Sequence, residues 1–271
     1  MPKFAANLTM MFNEVDFLDR FEAAAKAGFT GVEYLFPYDH AAKDILLRLK
    51  THGLTQVLHN LPAGNWGKGE RGIAIFPERV SEFRDGVMRA IDYAGTLGCK
   101  QLNCLAGIAP QGANHKLLQA TFLANLAYAS SALKAAGIKL LIEPINTRDI
   151  PGFYLNRTKD AIACIEEIGS DNIFVQYDVY HMQIMEGDLA RTIENNLDRI
   201  AHIQIADNPG RNEPGTGEIN FGFLFRHLDK IGYRGWIGCE YKPAATTVGG
   251  LGWFAPHATS GLEPVRSARR A

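Results

Sequence analysis

Short apolar runs alternate along this chain with longer segments in which apolar residues recur every three or four positions. The runs occupy residues 4–8, 31–35, 56–59, 101–105, 140–142, 174–178, 200–205 and 236–240. Each is brief and rich in aliphatic and aromatic residues, the pattern of a buried strand. Ahead of six of them stands a glycine: Gly28, Gly53, Gly98, Gly137, Gly169 and Gly232. A glycine there fits the left-handed position that closes a helix. The segments between have helical periodicity. In 14–27, Val15, Phe17, Leu18 and Phe21 share one face; in 78–97 it is Val80, Phe83, Val87, Ile91 and Ala94; in 117–136, Leu118, Phe122, Leu126, Ala129 and Leu133. Shorter helices are expected at 41–51, 158–168, 189–196 and 220–231. Strand–helix alternation repeated eight times predicts an α/β fold, a single-domain (β/α)8 TIM barrel over 1–257. An open doubly wound sheet is the alternative. No GxGxxG follows the first strand, so a Rossmann nucleotide site has no support. The Gly-rich loop 61–77 is expected to act as a lid. The segment 258–271 lacks apolar period and reads as a disordered C-terminal tail.

Composition narrows the partners. A hydrophobic content of 46% supplies a large core, and a formal net charge of −1 argues against nucleic acid or an anionic membrane surface. No apolar run reaches the ~18 residues of a spanning helix, and the N-terminus lacks a signal-peptide core. Cys99, Cys104, Cys164 and Cys239 form no CxxC pair and lie in apolar contexts, as buried free thiols of a cytoplasmic protein do.

In barrel enzymes the C-terminal ends of the strands build the site. Read that way, the chain offers His59, Glu143, Asp178, Gln204 and Glu240. The last four are 35, 26 and 36 residues apart, about one strand–helix unit each. A lone strand-end glutamate is commonly a cap or a surface ion pair, and a lone glutamine often only bonds backbone; the joint spacing is what carries chemistry. Carboxylates crowded at one mouth need a counter-charge. A divalent cation supplies it, and oxygen donors select Mg²⁺ or Mn²⁺. His59 and His181 are candidate substrate-binding or structural histidines. Arg71, Arg211 and Lys242 fall in loops after strands and could hold an anionic substrate.

Several stretches together resemble one family. They include Phe4-Ala5-Ala6-Asn7-Leu8, Leu58-His59-Asn60-Leu61-Pro62, Gly69-Glu70-Arg71-Gly72, Ile142-Glu143-Pro144-Ile145-Asn146, Gln176-Tyr177-Asp178-Val179-Tyr180-His181 and Gly238-Cys239-Glu240-Tyr241-Lys242-Pro243. From residue 2 to about 257 the chain is similar to the hydroxypyruvate isomerases, of the xylose-isomerase-like barrel superfamily. The resemblance implies a metal held by Glu143, Asp178, Gln204 and Glu240, with Glu143 and Glu240 transferring protons. Where many sugar epimerases of the superfamily carry His, this chain has Gln204. The expected substrate is a small 2-oxo acid, bound by His59, Glu70, Arg71, His181, Arg211 and Lys242, and a homo-oligomer is compatible with the sequence. Competing readings are a 2-oxo-tetronate isomerase, a ketose 3-epimerase, a metal-dependent phosphodiesterase or nuclease, and a binding barrel without turnover.

Overall fold

The computed structural model describes residues 2–258. Eight parallel strands close on themselves: β1 (Lys3–Asn7), β2 (Gly31–Glu33), β3 (Thr55–Asn60), β4 (Gln101–Cys104), β5 (Lys139–Ile142), β6 (Ile173–Asp178), β7 (Ile200–Ile205) and β8 (Trp236–Cys239), with β8 paired back onto β1. The helices around them are α1 (Arg20–Lys26), α2 (Ala42–His52), α3 (Val80–Leu97), α4 (His115–Ala135), α5 (Thr158–Ile168), α6 (Val179–Met185), α7 (Leu189–Asn195) and α8 (Phe221–Lys230). This is the expected single-domain TIM barrel. All six helix-closing glycines have φ between +65° and +89°, where a Cβ is disfavoured.

Two helices differ from expectation. The first begins late, as a 3-10 turn at Phe17–Asp19 followed by α1. Arg20 donates to the carbonyls of Val15 and Leu8 at 3.0 and 2.8 Å, which holds the segment before it as a loop. The helix α6 has no counterpart in the expected set. It starts on the residue after β6, with no connecting loop. As for the tail, residues 259–271 lie outside the described residues. Among the described residues no helix is long and apolar enough to cross a membrane.

The barrel interior is layered. Midway along their strands Ala5, Val57, Leu58 and Leu141 form an apolar plug, with Phe174, Ala201 and Trp236 from the N-terminal ends of β6, β7 and β8 packed on it. Above it the inward positions turn polar: Asn7, Glu33, Asn103, Gln176, His202 and Gln204 are all buried. Burying polar groups is costly unless they are paired, and Asn7, Glu33, Gln176, His202 and Gln204 bond to one another across the strands while Asn103 bonds Glu143. That layer is the floor on which the strand-end residues rest. The main apolar core lies outside the barrel, between strands and helices.

The loop after β3 is tied down at both ends. Gly72 bridges Ala106, Ile75 N–H donates to Ala106 at 3.2 Å, and Asn125 donates to the Ala74 carbonyl at 2.8 Å. A Cβ on Gly72 would lie 2.3 Å from the Leu105 carbonyl oxygen, so only glycine permits that approach. Ile73, Ala74 and Ile75 are buried. The projecting part is therefore the tip, residues 64–71.

Candidate active site

At the C-terminal mouth of the barrel lies a cavity of about 610 Å³, bordered by Glu143, His181, Arg211 and Glu240, with Asn60, Trp66, Arg71, Tyr180 and Lys242 around them. Its chemistry is set by how each strand end is held.

Asp178 ends β6 and also caps α6. Its Oδ1 accepts from the backbone N–H groups of Tyr180 and His181 at 2.8 and 3.4 Å. Such a cap contributes about 1 kcal/mol to the helix. Because cap and strand end are one residue, α6 begins at once and brings His181 over the mouth. The other oxygen, Oδ2, is buried with no hydrogen-bond partner. It lies 3.5 Å from His181 Nε2, while Glu143 Oε1 lies 3.8 Å from the same nitrogen. One ligand atom from each of Glu143, Asp178 and His181 falls within 4.8 Å of the others. Asn103, one strand over, fixes Glu143 by donating to Oε2 at 2.8 Å.

Glu240 follows β8 and is held from below. Its Oε2 accepts from Gln204 Nε2 at 2.6 Å and Asn7 Nδ2 at 3.2 Å. The same two amides donate to Glu33 Oε1, at 2.7 and 3.1 Å. Glu33 Oε2 in turn pairs with His202 Nε2 at 2.7 Å, and Gln101 contacts the other ring nitrogen of His202 at 3.2 Å. Glu33 thus sits under Glu240 and aims two amides at it. A Cβ on Gly238 would meet the Glu33 carboxylate at 2.3 Å, so the glycine makes room for this layer. Gln204 is the expected ligand that behaves differently here. Its Oε1 accepts from Gln176 at 2.6 Å and its NH₂ faces the two carboxylates. So oriented, it steers Glu240 rather than offering oxygen to a cation.

Arg211 closes the cluster from the solvent side. It donates to Glu240 Oε1 at 2.8 Å, lies 3.7 Å from Asp178 Oδ2 and 3.4 Å from His181 Nε2, and stacks over Tyr180 at 5.1 Å. Its loop is organised by Asp207, whose carboxylate accepts from the N–H groups of Asn208, Gly215, Gly217 and Ile219 at 2.8–3.1 Å. The Arg211 N–H donates to the Asp207 carbonyl at 2.8 Å with φ +56°.

The electrostatics follow from burial. Desolvation lifts the Glu143 carboxyl well above the usual range, with the Glu240 and Asp178 charges adding to it. Burial likewise raises Asp178 and Glu240, although Arg211 pulls both down. Desolvation opposes the Arg211 charge, but the facing carboxylates hold its pKa above the ordinary value. Burial and Arg211 depress the pKa of His181 strongly, so its ring is neutral. One guanidinium does not compensate this many carboxylates. The unpartnered Asp178 oxygen and the raised proton affinities around it fit a divalent-cation site, toward which Glu143 and Asp178 bring oxygen atoms within 4.8 Å of one another.

Other expected residues are placed differently. His59 does not reach the cavity. It faces outward from β3, among the rings of Tyr34, Tyr38 and Tyr93, with both nitrogens unpartnered. Asn60, its neighbour, takes the inward position and borders the cavity. Glu70 faces its own loop, receiving the Asn65 N–H and pairing with Arg79 at 2.7 Å. Its carboxylate fills the space beside Gly64, where φ is +83°. Arg71 does reach the cavity, laid over Trp66 with its guanidinium 3.9 Å from the ring centroid. Lys242 is at the exposed rim, its N–H donating to the Arg211 carbonyl at 2.8 Å. Asn7, Glu33, Asn103, Asn146 and Gln176 were given no role by the sequence. The signal for Asn7 and Glu33 was present: each ends a strand with a polar residue, as Asp178 does.

Comparison with known proteins places these features in context. The family model described as Xylose isomerase-like TIM barrel matches residues 21–257. Over 257 residues the chain is 52% identical to a hydroxypyruvate isomerase of Escherichia coli (strain K12), covering 95% of this chain and 100% of that protein. It is 51% identical to a 2-oxo-tetronate isomerase of Cupriavidus necator, covering 95% and 99%. Among solved structures, a protein from Brucella melitensis described as AP endonuclease, family 2 superposes with a TM-score of 0.94 at 49% identity, covering 96% of this chain and 100% of that one.

Proposed function

The chain belongs to the xylose isomerase-like TIM barrel family and is an isomerase, and from that premise we propose that it interconverts hydroxypyruvate and tartronate semialdehyde (2-hydroxy-3-oxopropanoate) through an enediolate. The observation that carries the reading is a pair of buried carboxyls, Glu143 and Glu240, both raised in proton affinity and both bordering one cavity. A group with raised proton affinity is suited to take a proton from carbon near neutral pH.

The reaction moves two hydrogens. One carboxylate takes a proton from C3, and the electron pair passes into the C2–C3 bond to leave the enediolate. A carboxyl group returns a proton to C2, while the C3 hydroxyl proton passes to the C2 oxygen, so that C3 becomes the aldehyde and C2 the alcohol. Neutral His181 stands between Glu143 and Asp178, where a ring N–H can donate to the oxyanion as charge develops. Arg211 holds Glu240 in place and adds positive charge on the same side. A divalent cation, Mg²⁺ with Mn²⁺ as the alternative, would be held by Glu143, Asp178 and Glu240 and would supply Lewis-acid polarisation of the carbonyl. Arg71 and Lys242 at the cavity rim are the cations available for the substrate carboxylate. The four free cysteines fit a reducing, cytoplasmic setting.

A second reading has its own support. At about 610 Å³ the cavity is roomy for a three-carbon acid, and a four-carbon 2-oxo acid, the kind named for the Cupriavidus protein, also fits it. Phosphodiester cleavage, the activity named for the Brucella protein, is less well served. Among the described residues one group, Glu143, Asp178 and His181, gathers ligand atoms within 4.8 Å of one another, where a nuclease of this kind would need several such groups, and the net charge is −1. The test is turnover of hydroxypyruvate, a 2-oxo-tetronate, a ketose and an abasic-site DNA side by side, with loss of the substrate C3 deuterium in water as the readout. No exchange with either 2-oxo acid would overturn the proposal.

A further inference from the structure

Asn146 lies four residues from the end of β5, fully buried, and does not itself border the cavity. Its amide orientation is set from one side. Asn146 Oδ1 accepts the Asp149 N–H at 2.7 Å, and Nδ2 faces the Asp149 carboxylate at 3.2 Å. The NH₂ end is therefore the end that meets His181 Nδ1, at 2.6 Å. An amide NH₂ can only donate, so Nδ1 must accept. In a neutral imidazole the proton then sits on Nε2. That nitrogen points at the mouth, 3.8 Å from Glu143 and 3.5 Å from Asp178. The donor-only Arg211 Nη2 also lies 3.4 Å from it, but that contact is longer than the 2.6 Å one at Nδ1 and comes from a nitrogen already donating to Glu240 at 2.8 Å, so the Asn146 contact sets the tautomer.

We propose that Asn146 is a positioning residue that locks His181 in the Nε2–H tautomer, so that the ring donates a hydrogen bond into the cavity instead of ligating a cation. Glycine or alanine at 146 would leave Nδ1 unpaired in a buried site, and an acceptor there would reverse the ring. The effect on catalysis rests on the isomerase reading above; the tautomer does not. The lock also explains why His181 is built into α6 rather than on a loop. The N-cap made by Asp178 fixes the ring's backbone, and Asn146 fixes its proton.

The experiment is ¹⁵N spectroscopy of ring-labelled histidine in the full chain with chelator present, the His181 signals being assigned by their loss in His181→Gln. The expected spectrum has a pyridine-like Nδ1 and a pyrrole-like Nε2. Asn146→Asp, whose carboxylate can only accept, should reverse the two and lower kcat at least ~100-fold with KM little changed; a wrong tautomer costs a serine-protease triad ~10⁴-fold. Asn146→Ala, which offers neither donor nor acceptor, should give both tautomers and a smaller loss. A wild-type spectrum with the proton on Nδ1 overturns the proposal, whether or not the variants fold. Reversal in Asn146→Asp with kcat unchanged overturns the catalytic role. Absence of turnover in the wild type counts against the isomerase reading alone, since the spectrum still decides the tautomer.

Discussion

Arg211 Nη2 donates to Glu240 Oε1 at 2.8 Å while standing 3.7 Å from Asp178 Oδ2 and 3.4 Å from His181 Nε2. A single nitrogen of the chain thus lies among the groups proposed above to surround a cation. Arg211→Met should lower turnover by more than ~100-fold, the scale of losing one preorganised donor. It should bind Mn²⁺ at least as tightly as wild type, because a like charge is gone. Arg211→Lys, which keeps charge without the fork, should fall between. Calorimetric titration with Mn²⁺ beside steady-state kinetics checks both; weaker metal binding in Arg211→Met would contradict the picture.

The two glutamates are the next test. Glu143→Gln and Glu240→Gln keep the shape and an oxygen but remove the base. Each should lose more than ~100-fold in kcat at saturating metal. Near wild-type turnover in either variant would reduce that residue to a structural part.

Metal removal should abolish turnover, and Mg²⁺ or Mn²⁺ should restore it. Asp178→Asn should lower metal affinity sharply, since Oδ2 is the buried oxygen without a partner. It should cost the helix cap less, because the amide oxygen still accepts from Tyr180. Metal content by elemental analysis and helix content by circular dichroism separate the two effects. Full activity after exhaustive chelation would sink the cation.

His59 gives a stability test remote from catalysis. Burial lowers its pKa from 6.5 to about 3. Between those values the unfolded chain binds a proton that the folded chain does not. Its contribution is therefore intact above about pH 6.5 and lost as pH falls toward 3, at ~1.4 kcal/mol per pH unit. From pH 7 to 5, wild type should lose ~2 kcal/mol more than His59→Phe. Urea denaturation of both proteins at the two pH values measures it, and parallel curves would refute it.

The barrel was legible because each strand carries a compact apolar run and most are announced by a helix-closing glycine. The strand-end acids were legible for the same reason, since a polar residue after such a run marks a mouth. What the sequence could not convey is which side of the strand a mouth residue takes. His59 and Asn60 are adjacent and both polar, and only the packing of Tyr34, Tyr38 and Tyr93 on the outer face decides between them. The orientation of Gln204 depends on Gln176 and Glu33, 28 and 171 positions away. No local pattern contains that. The helix α6 was missed because Asp178 was read as a ligand alone, although an aspartate ahead of a helical turn is also a cap.

Glu33 and Gly238 meet across the barrel floor, the carboxylate occupying the space a Cβ would need. The two positions therefore form a single unit of change. A side chain gained at 238 is admissible only after the one at 33 has shortened, and shortening 33 alone takes from His202 its buried carboxylate partner and leaves Asn7 and Gln204 with Glu240 alone as their acceptor. Either order passes through a damaged intermediate. A laboratory lineage selected for a new substrate should thus vary freely at the rim, at Trp66, Arg71 or Lys242, long before it alters the floor.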